Sequence, residues 1–372
     1  MPHTHEPHED DLDTVPPPQP VFHVEQALLG ALLLEPHRLD DVSGITADSF
    51  STAAHTALYA AISTVPRPDP AEHAKNTTWL NRVLATARKQ ARGLTAPYLH
   101  ALVQVCPWPS HTPAYARMVE AEHARRRLQS AAERLVHTVH DVTLPHPVQT
   151  VLVEADALAA VVDDIASRFP PRSGVLPRTP APLPALAPDH TAAIEEEQLL
   201  LATATARPDD IDAVRWLTPA DLTLPLHADL WQCLTTLSRR REPVDPVTVL
   251  WEAQQRGLLD EGSEPGEVLR MLAEPAGSVE HWGERALQRS LLATAEHTGR
   301  RIEAYAADQA NTPFQLVVGA RRALADIAAV RTRWQQATGA VPSPRRRPAS
   351  TTRAGPPTTT AAHAARSTRA TR

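Results

Sequence analysis

The residue types that most often carry out chemistry are sparse in this chain. Its only two lysines, Lys75 and Lys89, have no glycine beside them. A nucleotide-binding P-loop needs a glycine-rich turn whose amides cradle phosphate and a lysine that reaches the same phosphate. The patterns G-x-S-x-G, H-E-x-x-H, C-x-x-C and G-x-G-x-x-G are also absent. We therefore expect no enzyme: no catalytic residue, no cofactor and no metal site.

Two histidines, His55 and His227, occupy equivalent positions when the sequence is shifted by 172 residues. A catalytic histidine would need an acidic partner in the same register, and none is apparent. We expect both histidines to pack or cap at the turn into the next helix. The acidic run Glu195–Glu197 is able to ligate a cation, but acids at a helix start are also what the helix dipole favours. We prefer the second interpretation.

Basic residues are concentrated in two places. Arg125, Arg126 and Arg127 lie on a long predicted helix, where they either touch phosphate or an acidic partner or form a solvated face, the interpretation we favour. The C-terminal segment has seven arginines and no acid, and such tails bind phosphate without sequence preference. Its candidates for nucleic-acid contact are Arg345, Arg346, Arg347, Arg353, Arg366, Arg369 and Arg372.

Length and composition indicate an all-α protein with two or three domains. The chain has 372 residues, is 42% hydrophobic and only 4% aromatic, and contains 36 prolines. Its two cysteines, Cys106 and Cys233, fall at non-equivalent positions, which excludes a disulfide scaffold. No transmembrane run and no signal peptide are visible, so a cytoplasmic location is expected.

The predicted helices that position these residues occur twice in the sequence. Residues 25–62 align without a gap on residues 197–234, with ten identities among 38 positions, including Glu25/Glu197, His55/His227 and Leu58/Leu230. A period this long indicates tandem domains. We expect about seven helices per copy, with long helices at 113–140 and 282–305, later helices at 149–169 and 314–338, and no sheet. Thr112, Thr218, Asp245 and Thr312, each followed by proline, are predicted N-caps.

The repeated stretch VEQALLGALLLEPHRLDDV, followed by TADSF and H-x-x-L-Y-x-A-I, resembles the N-terminal domain of DnaB-type replicative helicases. The second copy matches through EEQLL and TPADL-x-x-x-x-HADLW. In that family the domain is helical, pairs through a C-terminal hairpin, forms the collar of the helicase ring and docks primase and loader proteins. The ATPase motor is a separate domain that is not visible here, so the resemblance transfers no catalytic residue.

The resulting domain prediction is an acidic tail (1–20), two collar-type copies (21–169 and 193–338), a Pro-rich linker (170–192) and an Arg-rich tail (339–372). The leading hypothesis is a non-catalytic replication protein whose hairpins pair with each other, with a helicase, with primase or with a second chain. The alternative is an adaptor tethered to nucleic acid by its basic tail. The predicted hairpin interaction face comprises Tyr115, Met118, Val119, Arg125, Arg126, Arg127 and Leu128.

Overall fold

A computed structural model describes residues 19–170, 176–180, 182, 191–259 and 264–339. These residues form thirteen α-helices and no strand, as predicted. The first copy has seven: α1 Pro20–Leu34, α2 Ala53–Thr64, α3 Pro70–His73, α4 Thr78–Ala87, α5 Ala96–Val105, α6 Thr112–His140 and α7 Pro147–Arg168. The second has six: α8 Thr191–Ala206, α9 Pro225–Arg240, α10 Pro246–Gln255, α11 Pro265–Leu272, α12 Val279–Ala307 and α13 Pro313–Ala337.

Side-chain caps explain several helix starts. The Asp245 carboxylate accepts hydrogen bonds from the amides of Val247 and Thr248 at the start of α10. The amide of Thr312 donates to Gln315 in a capping box that opens α13. Thr218 has the equivalent arrangement with Asp221, but there it opens a 3₁₀ turn, Pro219–Asp221. The prediction for Thr112 is wrong, because this residue lies inside α6 and its hydroxyl donates to the carbonyl of Pro109.

Each copy consists of a head and a hairpin. The first head is α1–α5 and the first hairpin is α6 and α7; the second head is α8–α11 and the second hairpin is α12 and α13. In the first head, α1 crosses α5 so closely that a Cβ on Gly30 would lie 2.1 Å from the carbonyl oxygen of Leu102. The corresponding position in α8 is Ala202, which is buried. The two heads therefore share a plan but differ in how closely their helices approach.

The two hairpins pack against each other. Helix α6 lies along α12, and α7 lies along α13. One continuous apolar core joins residues of the first hairpin, such as Leu128, Leu158 and Ile165, to residues of the second copy, such as Leu291 and Ile327. The core of the first head forms a separate cluster. Each hairpin has one apolar face, and the copies are held together because these two faces are buried against each other.

Gly299 marks the closest approach of α6 and α12. A Cβ at this position would lie 2.5 Å from Cγ2 of Val136 and 3.3 Å from the carbonyl oxygen of Ala132. A shift of 163 positions, which superposes Leu128 on Leu291, also superposes Val136 on Gly299. Helices that cross at equivalent positions are related by an approximate two-fold axis, as in an isologous dimer. Here both partners belong to one chain.

Part of the Pro-rich segment between the copies packs on the second hairpin. Pro177 fills the space above Gly319, where a Cβ would lie 2.5 Å from its Cγ. The carbonyl oxygen of Leu176 accepts a hydrogen bond from Gln315 at 2.8 Å, and the Thr179 hydroxyl donates to Asp308 at 2.6 Å. The sequence alone left it open whether the copies touch; the hairpins and this segment both bring them together.

Replacing Gly299 with alanine should weaken the pairing of the hairpins. The new methyl group meets the branched side chain of Val136, and overpacking of this kind costs about 1–3 kcal/mol. Urea unfolding should therefore show a lower free energy of unfolding for Gly299→Ala. The control is Gly266→Ala, because nothing lies within 4 Å of a Cβ there. Adding Val136→Ala to Gly299→Ala should recover part of the loss; equal stability of Gly299→Ala and the wild type would contradict the close crossing.

Candidate interaction site

A buried hydrogen-bonded unit links three helices of the first head. The Glu25 carboxylate on α1 lies 2.6 Å from Nδ1 of His55 on α2, and both side chains are fully buried. The amide of Ser51 donates to the same carboxylate at 2.7 Å. On its other side, His55 places Nε2 2.7 Å from the phenol oxygen of Tyr98 on α5. Such a satisfied polar unit fixes the relative positions of the helices that contribute to it.

The second head repeats the unit. Glu197 lies 2.8 Å from Nδ1 of His227 and accepts a hydrogen bond from the amide of Thr223 at 2.8 Å. The expectation that the repeated histidines lack an acidic partner in register is therefore wrong. Their partners are Glu25 and Glu197, themselves a repeated pair, which lie thirty residues earlier in the sequence. Burial of all four side chains is consistent with the packing role expected for the histidines.

Arginines on the hairpins connect each hairpin to its own head through ion pairs and hydrogen bonds. Arg126 on α6 lies 3.9 Å from Glu25 and donates to the carbonyl of Ser49 at 2.7 Å. Its equivalent on α12, Arg289, lies 3.7 Å from Glu197. Sequence reasoning missed this correspondence because the shift between the copies falls from 172 in the heads to 163 in these helices.

A second pair of arginines acts in the same way from the other hairpin helix. Arg168 at the end of α7 donates to the carbonyl of Gly44 at 3.0 Å. Arg333 on α13 donates to the carbonyl of Trp216, the residue equivalent to Gly44, at 3.4 Å. Here the shift is 165 positions. Two arginines per copy therefore set the angle between head and hairpin.

Arg125 joins the two copies. Its guanidinium donates to the carbonyl oxygens of Ala306 and Asp308 at 2.9 Å and of Asn311 at 2.6 Å, at the end of α12 and in the loop that follows. Only 7% of the residue is exposed. The solvated-face interpretation of the arginine run is therefore wrong for Arg125. A guanidinium suits this position because its five donors satisfy several carbonyls that the helix end leaves unpaired.

The other residues of the predicted hairpin face are divided among different environments. Leu128 lies in the core shared by the copies, whereas Val119 lies in the core of the first head. Arg127 pairs with Asp164 of its own hairpin. Tyr115 is half-buried against the first head, and Met118 is 53% exposed. The seven residues therefore do not form one free surface.

Charge pairs extend the contact between the hairpins. Arg331 on α13 makes a two-pronged contact with Asp156 on α7, both distances being 2.6 Å. Arg321, nearer the start of α13, lies 2.9 Å from Asp163. At the other side of the bundle, His140 lies 3.2 Å from Glu296. At least one side chain of each pair is exposed, so each pair contributes little free energy, but the pairs set the register in which the apolar faces meet.

Three further predictions concern the C-terminal arginines, a metal site and the acidic run Glu195–Glu197. The C-terminal arginines, from Arg345 to Arg372, lie outside the described residues. Within the described residues, no group of three His, Cys, Asp or Glu side chains could hold a metal ion. In the same part of the chain, no helix is both long and apolar enough to cross a bilayer. Glu196 of the acidic run pairs with Arg285 and Arg289.

The side chain of Cys233 is buried, and burial raises the pKa of its thiol to about 11.

Removal of Glu197 should destabilise the protein. In Glu197→Ala the buried His227 and the amide of Thr223 lose their acceptor, and breaking a buried pair of this kind costs about 3–5 kcal/mol. Thermal and urea unfolding measure the loss. Glu195→Ala is the control, because Glu195 is exposed and such substitutions usually stay within about 0.5 kcal/mol. A similar, small change for both variants would contradict the structural role assigned to the buried unit.

Comparison with known proteins connects this architecture to a family. The DnaB-like helicase N terminal domain matches residues 17–121 and again residues 189–285, which together exceed half of the chain. Each match covers a head and the beginning of the helix that follows it, and no ATPase domain is detected. No curated protein and no solved structure matched the chain. The chain belongs to the DnaB-like helicase N-terminal domain family and carries that domain twice.

Proposed function

We propose that the protein is a non-catalytic component of DNA replication that acts as a protein-interaction module for a replicative helicase or primase. The observation that carries the proposal is the pairing of the two hairpins within one chain. Domains of this type are expected from the family resemblance to pair through their hairpins, and here both hairpin faces are buried against each other. The chain would thus present a ready-made collar-type pair in the cytoplasm.

The pairing of the two hairpins within the chain limits which partner proteins can bind to them. Because Leu128 and Arg125 are buried between the copies, a second chain would have to open the bundle to reach them. Of the three partners considered from the sequence, pairing with a second copy is therefore disfavoured. The outward surfaces of the two heads are the regions through which we expect helicase or primase to bind.

A monomer is the expected state in solution. Each chain satisfies its own hairpin contact, so sedimentation at micromolar concentration should give a mass close to 40.5 kDa. A stable wild-type dimer would contradict the internal pairing as the preferred state.

The test of the proposal is direct capture of purified partners. Immobilised protein should retain the replicative helicase or primase of the same organism, and a version lacking residues 340–372 should retain it equally well. Helicase lacking its N-terminal domain serves as a matched control. Failure of both proteins to bind either version would reject the interaction-module proposal.

The second candidate function is a nucleic-acid-tethered adaptor, favoured by the seven arginines of residues 340–372. A basic segment of this kind would bind DNA with steep salt dependence. Full-length protein should then shift labelled DNA at low salt, and the truncated protein should not. Equal DNA affinity of the two versions would remove this alternative and leave the helicase and primase binding test unaffected.

A further inference from the structure

The crossing of α6 and α12 carries the same contact twice, with different charges. On one side, His140 of α6 lies 3.2 Å from the Glu296 carboxylate of α12. The shift of 163 positions that relates the two helices makes Glu303 the equivalent of His140 and Glu133 the equivalent of Glu296. The approximate two-fold axis therefore repeats the His–Glu contact as a Glu–Glu contact on the other side.

The Glu–Glu contact is repulsive. Glu303 is half-buried, and burial together with the charge of Glu133 raises the pKa of its carboxyl, although Arg300 acts in the opposite direction. The Glu133 carboxylate accepts a hydrogen bond at 2.9 Å from the side-chain amide of Gln129, which is neutral. An ionised Glu303 therefore costs free energy at the interface between the copies, and its protonation removes that cost.

The His–Glu contact depends on pH in the same direction. A neutral His140 offers Glu296 a hydrogen bond, whereas a protonated His140 forms an ion pair with it across the interface. Arg300 already pairs with Glu296 at 2.9 Å, so the additional attraction is modest. We call these five side chains, Glu133, His140, Glu296, Arg300 and Glu303, the charged seam.

Other charged groups on the elements packed here make contacts away from the seam. They are His137 with Asp141 on α6 and just after it, Arg134 of α6 with Glu154 of α7, and Arg301 and His297 of α12 with Asp326 of α13. Burial lowers the pKa of His297, so this side chain gains its charge at a lower pH than an exposed histidine does. Protonation of His137 adds attraction to Asp141, next to it in the same copy. These groups leave the direction of the effect at the seam unchanged.

We propose that the charged seam is a pH-sensitive switch that tightens the pairing of the two copies as the pH falls from about 8 to about 5. At the higher pH, Glu303 and Glu133 repel each other and His140 is neutral. At the lower pH, His140 is charged and Glu303 is protonated in a larger fraction of the molecules. The stabilisation from these groups is therefore present at the lower pH and is lost as the pH rises.

This inference concerns the contact between the copies and does not depend on which partner the protein binds. It adds to the proposed function in one respect. A protein that reaches Leu128 or Arg125 has to open the bundle, and the seam makes opening easier at the higher pH. Failure to capture helicase or primase would leave the pH dependence of the contact unaffected.

Hydrogen exchange in the full-length protein measures the strength of the contact. Amides of α6 and α12 beside the crossing of Val136 and Gly299 exchange when the copies open. Their protection factors, which correct for the intrinsic effect of pH on exchange, are compared at about pH 5 and about pH 8. We expect the wild type to be about fivefold more protected at the lower pH, the size expected for charge contacts that are partly exposed.

Two conservative substitutions assign the effect to the seam. Glu303→Gln removes the repulsion, so protection at the higher pH should rise towards the value at the lower pH. His140→Gln removes the group that gains charge, so protection at the lower pH should fall. The variant with both substitutions should have nearly the same protection at the two pH values.

Matched controls remove the same groups elsewhere. Glu284→Gln changes an exposed carboxylate earlier on α12, and His100→Gln changes an exposed histidine on α5. Both controls should keep the pH dependence of the wild type. Equal protection of the wild type at the two pH values, greater protection at the higher pH, or a pH dependence that survives in the double variant would each overturn the proposal.

Discussion

The burial of each hairpin's apolar face against the other is the interaction on which the rest of the structure depends. Apart from each other, α6 and α12 would expose Leu128, Leu291 and their neighbours to water, at a cost proportional to the apolar area uncovered. Together they build one core that runs through both copies. Arg125 could be buried only because the end of α12 and the loop that follows it supply three carbonyls. Pairing within one chain also avoids the loss of translational freedom that two separate chains would incur. Because of the duplication, the hairpins pair as the chain folds and need no second chain.

Around this shared core, the heads are attached by polar contacts that recur in both copies. The buried Glu–His units hold the helices of each head together, and the arginine pairs Arg126/Arg289 and Arg168/Arg333 connect each head to its hairpin. Because the framework is repeated, differences between the copies are informative. The phenol of Tyr59 donates to the carbonyl of Ile45 in the first head, whereas the indole N–H of its equivalent, Trp231, has no acceptor among the residues that the structure describes.

The sequence predicted the helical class, the repeat and the two hairpins, because apolar periodicity and proline-bearing helix starts are local signals. It failed where the answer depends on distant residues. The acids that partner His55 and His227 were visible as a repeated pair, but a separation of thirty residues gave no reason to join them. The correspondence between the hairpin arginines of the two copies was missed because the sequence shift between the copies changes from 172 to 163 and 165 along the chain. Burial of Arg125 could not be predicted from its basic neighbours, because it depends on how the copies pair. The unpaired indole of Trp231 likewise appears only once Tyr59 is compared with it in three dimensions.

Cutting the chain between the copies tests the internal pairing most directly. A protease site inserted between residues 183 and 190 separates the copies covalently while leaving the packed residues Leu176–Thr179 attached to the first. If the hairpins hold the copies together, the two fragments should still elute as one particle of the original size at micromolar concentration. They should separate only in urea or when Gly299 is replaced by a larger residue. Fragments that come apart at once after cleavage would contradict the shared core and, with it, the account of a collar-type pair within a single chain.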